Sequence, residues 1–191
     1  MYGEMMALLP ITLIGDKILR RKVKKVTEVD VETVDLIKNM FSTMRNANGI
    51  GLAANQVGAD KAIIVIDVSV VDEYKNVKPM VLINPNIIFR SEEKIVMEEG
   101  CLSIPDIRCE IDRPKEIVIK FKDTDMREHE LEASALLARV LQHENDHLNG
   151  ILFTDLIDQN LKKKLKKPLN LIKNRQLEVD YPVTADAEYR L

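Results

Sequence analysis

The sequence predicts one domain of the α+β class. Strand-like apolar segments come first in the 191-residue chain, and the clearest helical segment, residues 134–150, comes late. Apolar residues make up 46% of the chain and Trp is absent, so we expect a core of Ile, Leu, Val and Met. A chain of this length can bury such a core as a single domain, residues 1–191, with two small domains as the alternative.

The first elements are a basic extended segment and a helix. Residues 11–26 are predicted to be extended. Asp30 can cap a helix, and the apolar residues that follow it at helical spacing are Val34, Ile37, Phe41 and Met44. Asn48-Gly49 is expected to end this helix.

Two strands and a loop follow. Residues 61–68, KAIIVIDV, are apolar and β-branched, which predicts a buried strand. A second strand region covers 80–89 and is interrupted by Pro85. The segment EEGCLSIPDIR, 98–108, is dense in Gly, Pro and Ser and predicts a loop. Apolar residues alternate in 116–123, which predicts a strand with one buried face, and 128–133 is its expected return strand.

The helix over 134–150 has Ser134 as a plausible cap and Gly150 as a natural stop. Residues 151–155, ILFTD, predict a short strand. A basic amphipathic segment, 158–175, is expected to be helical and to be kinked or divided by Pro168. Residues 160–191 would form this terminal helix and a tail, of which the last ~12 residues are predicted to be loose.

Composition and charge narrow the class of protein. The net charge is −3, which gives no global indication of nucleic-acid binding, and we expect no direct DNA binding. No segment is long and apolar enough to span a membrane, and Glu4 stands where a signal peptide carries positive charge. We therefore expect a cytoplasmic protein without a membrane partner. Two cysteines, Cys101 and Cys109, do not make a disulfide framework, and Cys109 is interpreted as a plain core residue.

Two of the three histidines fall in one short motif. His143 and His147 are four residues apart, which on a helix separates their side chains by only about 40°, and Glu144 stands one step round. This is the H-E-x-x-H pattern of two metal ligands and a general base. The alternative is a pair of polar residues near a helix end. Because Leu136 and Val140 share the same face, the pair is expected to point inward.

A catalytic site of this type needs a third protein ligand. The longer metalloprotease motif would require His at position 153, which is Phe153. Asp155 lies close behind the helix, and His129 is expected to be solvated in a charged turn. Cys101 is the better candidate because Gly100 and Ser103 flank it, although by itself it would be an unremarkable small residue.

Three segments together resemble the signature motifs of the peptide deformylase family. They are GIGLAANQ (49–56), EGCLS (99–103) and HENDHLNG (143–150), in the family's order and at its usual separations. The resemblance covers roughly residues 8–157. One mild departure is Lys17, which follows Gly15-Asp16 where the family commonly has Pro.

The resemblance implies a site and a reaction. Cys101 would join His143 and His147 as metal ligands, and Glu144 would act as general base and acid. The Gln56 side chain and the Leu102 N–H would stabilise an oxyanion. The implied enzyme is a metal-dependent hydrolase that removes the formyl group from the N-terminal formyl-methionine of newly synthesised proteins and releases formate. The implied cofactor is one divalent metal ion, Fe(II) in the cell, with Zn or Ni in the isolated protein. The implied fold has antiparallel or mixed sheets around the H-E-x-x-H helix and a C-terminal basic helix.

The expected substrate residues line the path of an N-formyl-methionyl nascent peptide. Glycines would let the peptide backbone come close, apolar side chains would accept the methionine, and one arginine would face peptide carbonyls. These residues are Gly49, Ile50, Gly51, Met97, Gly100, Arg108, Leu136 and Val140. Arg139 is expected to border this pocket.

Other interpretations remain at this point. The basic segment 160–175 is either a solvated helix face or a contact with the ribosome. The protein as a whole is alternatively a zinc endopeptidase that does not depend on Cys101, or a metal-bearing binding protein without catalysis.

Overall fold

The computed structural model describes residues 7–185 and has the predicted α+β architecture. Four helices and seven strands occur in that range. In chain order they are α1 (Val31–Asn46), β1 (Gly51–Ala53), β2 (Ile63–Ile66), β3 (Met80–Arg90), β4 (Lys94–Cys101), β5 (Ile104–Pro114), β6 (Glu116–Lys122), β7 (Glu128–Ser134), α2 (Ala135–Leu148), α3 (Phe153–Leu156) and α4 (Gln159–Lys173). Within residues 7–185, no helix has both the length and the apolar character needed to cross a bilayer.

Antiparallel strands form two sheets. One has five strands in the order β1-β2-β3-β6-β7, and the other is the β4-β5 pair. Strand β2 is buried on both faces, and a different apolar cluster packs against each face. Ile64 and Ile66 belong to the apolar cluster that includes α2, whereas Ile63 and Val65 belong to the cluster that includes α1. The helix that carries the histidine motif is therefore packed against one face of the larger sheet.

Helices α1 and α2 begin and end near the predicted residues, although the Ser134 side chain makes no capping hydrogen bond. The Asp30 carboxylate accepts a hydrogen bond of 2.8 Å from the Thr33 N–H and caps α1. Ser134 takes the N-cap position of α2. Gly150 follows α2 with φ of 77°, and a Cβ there would lie 2.8 Å from the Arg20 carbonyl carbon. Both the backbone conformation and the close approach therefore require glycine at position 150.

The prediction of a loop over 98–108 is wrong, because these residues form the turn end of the β4-β5 hairpin, with the end of β4 and the start of β5. Gly100 pairs with Arg108, and the register shifts between Gly100 and Cys101. Alternate residues of β5 are buried, among them Ile107, Cys109 and Ile111. The period-2 pattern was present in the sequence, but the Gly, Pro and Ser residues obscured it.

Four smaller predictions also change. Residues 151–155 do not form a strand, because Phe153–Leu156 is a helical turn with the Asp155 carboxylate accepting from the Leu152 N–H at 2.9 Å. Helix α4 runs through Pro168 as one element. Strand β3 is one element across Pro85, and the predicted interruption occurs only in its pairing with β6, where the register shifts between Ile83 and Asn86. Lys17–Arg20 is a 3-10 turn inside the segment predicted as extended.

The C-terminal segment is anchored where a loose tail was predicted. The Ile11 N–H donates to the Pro182 carbonyl at 2.8 Å, and the Thr184 N–H donates to the Ile11 carbonyl at 3.0 Å. The Thr184 hydroxyl also donates to the buried Asp16 carboxylate at 2.8 Å. Residues 180–185 are thus fixed to the N-terminal segment, and the rest of the predicted tail, 186–191, lies outside the described residues.

Candidate metal centre and substrate pocket

Helix α2 and the end of β4 bring the three predicted metal ligands together. The donor atoms of Cys101, His143 and His147 all lie within 4.8 Å of one another. The Cys101 Sγ is 3.1 Å from His147 Nε2, and the two imidazole rings meet edge to face with centroids 4.9 Å apart. One thiol and two imidazoles are a donor set that suits zinc and ferrous iron, so this group fits a single divalent metal ion.

A buried carboxylate orients the first of these histidines. Glu99 Oε2 lies 2.9 Å from His143 Nδ1. Arg113 donates two hydrogen bonds to Glu99, at 2.6 and 2.9 Å, and Arg139 donates a third at 2.7 Å. An ionised Glu99 accepts the Nδ1 proton of His143 and leaves Nε2 free to face the metal position.

The balance of charge keeps Glu99 ionised. Burial alone would raise the pKa of this carboxyl, but the hydrogen bonds from His143 and Arg113 outweigh burial and hold the pKa far below its usual range. Arg113 also reaches Asp146 at 2.6 Å. Two guanidinium groups and two carboxylates therefore form a buried network directly behind the candidate ligands.

Glu144 has the environment expected of a general base. Its side chain is buried in the pocket wall, and its Oε2 has no hydrogen-bond partner among residues 7–185. Burial is the main reason that the pKa of Glu144 is raised to about 7. A carboxyl with this pKa can take up and give back a proton near neutrality.

The Gln56 amide is held in one orientation. Its Oε1 accepts a 2.8 Å hydrogen bond from the Ala53 N–H. Its Nε2 donates to the Ser103 hydroxyl at 3.2 Å and lies 3.5 Å from the Cys101 sulfur. The amide NH2 group therefore faces the Cys101–Ser103 turn, where Leu102 is the middle residue.

A pocket of about 610 Å³ opens beside these groups. Most of the residues predicted from the sequence line it: Gly49, Ile50, Gly51, Gln56, Gly100, Cys101, Leu102, Arg108, Leu136, Val140, His143 and Glu144. Met97 lies on β4 outside this lining, paired with Ile111. Arg139 borders the pocket as expected, although its guanidinium is turned to Glu99 and to the backbone carbonyls of Ile95 and Ile111.

The other ligand candidates are engaged elsewhere. His129 is exposed on β7 and lies 2.7 Å from Asp123. Asp155 pairs with Arg20 at 2.5 Å and caps α3. Cys109 is buried in the apolar cluster beneath β5, as interpreted from the sequence.

Two features of the site were missed at the sequence level. The first is the Arg113 and Arg139 network around Glu99, of which only the buried position of Arg113 could have been indicated, by the alternation along β5. The second is the C-terminal stretch 178–181, which lines the pocket. No local pattern in the sequence predicts that residues 178–181 reach the pocket, because the residues that they contact there are about 80 positions earlier in the chain.

The sequence is similar to known proteins of one family. A family model described as Polypeptide deformylase matches residues 8–163. Peptide deformylase of Chlorobium luteolum is 44% identical over 179 residues, 94% of each chain, and that of Salinibacter ruber is 45% identical over 189 residues, 95% of this chain and 97% of its own.

Solved structures show the same likeness. The peptide deformylase of Ehrlichia chaffeensis superposes with a TM-score of 0.80 at 35% identity, covering 89% of this chain and 97% of that one. The enzyme of Synechococcus elongatus, solved in complex with actinonin, superposes at 0.76 with 38% identity, covering 96% of this chain and 92% of that one.

Proposed function

The chain belongs to the peptide deformylase family, and we propose that the pocket beside Cys101, His143 and His147 is its active site. The protein is a metal-dependent hydrolase that removes the formyl group from the N-terminal formyl-methionine of newly synthesised proteins and releases formate. The observation that carries the assignment to this pocket is the convergence of a three-ligand set with a buried carboxylate, Glu144, that has one unpaired oxygen.

Cys101, His143 and His147 would hold the metal ion. When bound, a divalent ion lowers the pKa of a coordinated water toward ~7 and polarises a carbonyl oxygen. We propose Fe(II) as the ion in the cell, with Zn or Ni replacing it on isolation, because a thiolate with two imidazoles accommodates all three. Metal analysis of protein purified anaerobically, together with activity after reconstitution with each ion, tests this proposal. Zn in anaerobic preparations and no gain of activity with Fe(II) would contradict it.

Glu144 moves the proton. Its carboxylate takes one proton from the attacking water as the water oxygen bonds to the formyl carbon, and the formyl oxygen becomes negatively charged. Glu144 then gives that proton to the peptide nitrogen as the C–N bond breaks. The second water proton stays on the formic acid that forms first and passes to the new amino group or to solvent, so the products are formate and a free amino terminus, and Glu144 returns to its starting state.

Two donors stabilise the negative charge on oxygen. The Gln56 Nε2 is turned toward the Cys101–Ser103 turn by its bonds to Ala53 and Ser103, and the Leu102 N–H lies in that turn. Donors held in place before the reaction need no reorganisation during it, and loss of one such donor typically costs ~2.7–4 kcal/mol of barrier.

The substrate would lie between two strands. Ile50 precedes β1, an edge strand of the five-stranded sheet, and Gly100 lies in β4 of the two-stranded sheet, so an extended peptide can add along either. Leu136, Val140 and Ile50 line the pocket with apolar surface for the methionine side chain. Arg108 is exposed at the mouth, where it can reach peptide carbonyls.

Paired peptides test the proposal against a zinc endopeptidase. We expect formate from formyl-Met-Ala-Ser, no internal cleavage of the unformylated peptide, and loss of activity in Cys101→Ala. Cleavage of unformylated peptides by Cys101→Ala would favour the endopeptidase. A folded, metal-loaded protein that releases no formate would favour a binding protein instead.

We also propose that the protein acts in the cytoplasm and meets nascent chains at the ribosome through residues 160–175. Helix α4 carries exposed lysines, including Lys163, Lys166 and Lys167.

Deleting the C-terminal region is an unsuitable test of the ribosome contact, because Ile172 is buried and residues 178–181 line the pocket. Changing these three lysines to Gln should instead reduce co-sedimentation with ribosomes and leave deformylation of a tripeptide intact. Unchanged co-sedimentation would contradict the ribosome contact.

A further inference from the structure

The chain returns to the active site after its last helix. Glu178, Val179, Asp180 and Tyr181 line the same pocket as Cys101 and Glu144. None of the three sequence motifs includes these four residues.

Buried polar contacts fix the position of this stretch. Arg175 before the stretch and Thr184 after it both bond to the Asp16 carboxylate, which is fully buried. The Pro182 carbonyl and the Thr184 N–H bond to the two backbone groups of Ile11. The stretch 178–181 is therefore held in place on both sides, by helix α4 before it and by the N-terminal segment after it.

Tyr181 reaches the turn that carries the proposed oxyanion donor. Its hydroxyl donates a 2.8 Å hydrogen bond to the Leu102 carbonyl. Burial, with a smaller contribution from Cys101 and Asp106, raises the pKa of Tyr181, so the phenol stays protonated and acts as a donor.

Three separate parts of the chain hold this turn. The Gln56 amide donates to the Ser103 hydroxyl, the Ile14 N–H donates to the Ser103 carbonyl at 2.8 Å, and Tyr181 donates to the Leu102 carbonyl. Gln56 and Ile14 fix Ser103, whereas Tyr181 fixes Leu102 itself. Because the N–H and the C=O of one residue are linked through only two rotatable bonds, fixing the carbonyl of Leu102 restricts where its N–H can point.

We propose that Tyr181 is a positioning residue for deformylation, holding the Leu102 backbone so that its N–H faces the developing oxyanion. The inference rests on the proposed function, because the role of Leu102 belongs to it. The Tyr181 hydroxyl acts through Leu102, and its effect is expected in the rate of the chemical step.

The test is Tyr181→Phe, which removes only the hydroxyl. A hydrogen bond of this kind contributes about 0.5–1.5 kcal/mol, which corresponds to a fall in kcat of about two- to tenfold. KM for formyl-Met-Ala-Ser should stay within about twofold, since the apolar lining and the edge strands are unchanged. Thr33→Val is the matched control: it removes a buried hydroxyl, which accepts a hydrogen bond from Lys61 at 2.7 Å, from helix α1, away from Leu102 and the C-terminal segment. It should lower Tm by a similar amount and leave kcat as in wild type.

A second measurement does not depend on turnover. In zinc-loaded protein labelled with 15N-leucine, Tyr181→Phe should shift the Leu102 amide resonance and speed its hydrogen exchange, while Thr33→Val should do neither. Wild-type kcat in Tyr181→Phe, or an equal loss of kcat in Thr33→Val, would overturn the inference while the proposed function stands. A wild-type protein that releases no formate would instead refute the proposed function, and an unmoved Leu102 amide would then refute the positioning role as well.

Discussion

Gly51→Ala should separate metal binding from catalysis. A Cβ at Gly51 would lie 2.5 Å from Glu144 Oε1, 2.8 Å from Val140 Cγ1 and 2.9 Å from Glu144 Cγ. Val140 and Glu144 are both buried, so neither side chain can swing out to solvent. The added methyl group must therefore displace the proposed general base.

The size of the displacement follows from the contact distance. Ordinary contacts to a Cβ begin at 3.4 Å, so the Glu144 oxygen must move by about 0.9 Å, the difference between 3.4 and 2.5 Å. A misplacement of about 1 Å costs on the order of 100-fold in rate. Overpacking in a filled core costs about 1–3 kcal/mol of stability. We expect kcat/KM to fall about 100-fold in a protein that still folds.

The assay is formate release from formyl-Met-Ala-Ser, with Tm and metal content measured on the same preparations. Metal content should match wild type, since none of the three closest atoms belongs to Cys101, His143 or His147. Gly100→Ala is the control for the effect of a methyl group on folding, because its nearest atom is Arg108 Cγ at 3.4 Å on an exposed side chain. Activity of Gly51→Ala within threefold of wild type would refute the assigned position of Glu144.

Three further predictions concern the charges around the metal centre. Glu99→Gln should weaken metal binding about 10- to 100-fold in a zinc competition titration, because the carboxylate that orients His143 is lost; unchanged affinity would contradict that role. The folded-state pKa of Glu99 lies below its usual value of 4.5. Ionised Glu99 therefore stabilises the folded protein above pH 4.5, and this stabilisation is lost as the pH falls toward the folded-state pKa. Urea unfolding of the metal-free protein should show this loss in wild type and not in Glu99→Gln. Burial raises the pKa of Glu144, so kcat/KM should fall on the acid side as this carboxylate takes up a proton. An activity that stays constant as the pH falls would contradict Glu144 as the base.

The sequence predicted the elements that carry regular local signals. Helix α1 begins at an Asp cap and α2 ends before a glycine, and both features act over a few residues. The pair His143 and His147 followed from helical geometry alone. Residues 98–108 form strands although Gly100 and Pro105 locally favour a loop, because pairing between β4 and β5 stabilises the alternating pattern.

Long-range contacts account for the remainder. The network of Glu99 with Arg113 and Arg139 joins β4, β5 and α2, and no single segment of sequence encodes it. The return of Tyr181 to Leu102 spans 79 positions and depends on Asp16 being buried beneath the C-terminal segment. Side chains separated so far along the chain meet only because the intervening sheets fix their positions.

The central claim is that Cys101, His143 and His147 hold a metal ion at which Glu144 transfers the proton. The most direct measurement compares metal content and formate release in wild type and Glu144→Ala, both purified anaerobically with Fe(II). We predict one metal ion per chain in both proteins, with formate released only by wild type. Formate release by Glu144→Ala at the wild-type rate, with its metal retained, would contradict the claim.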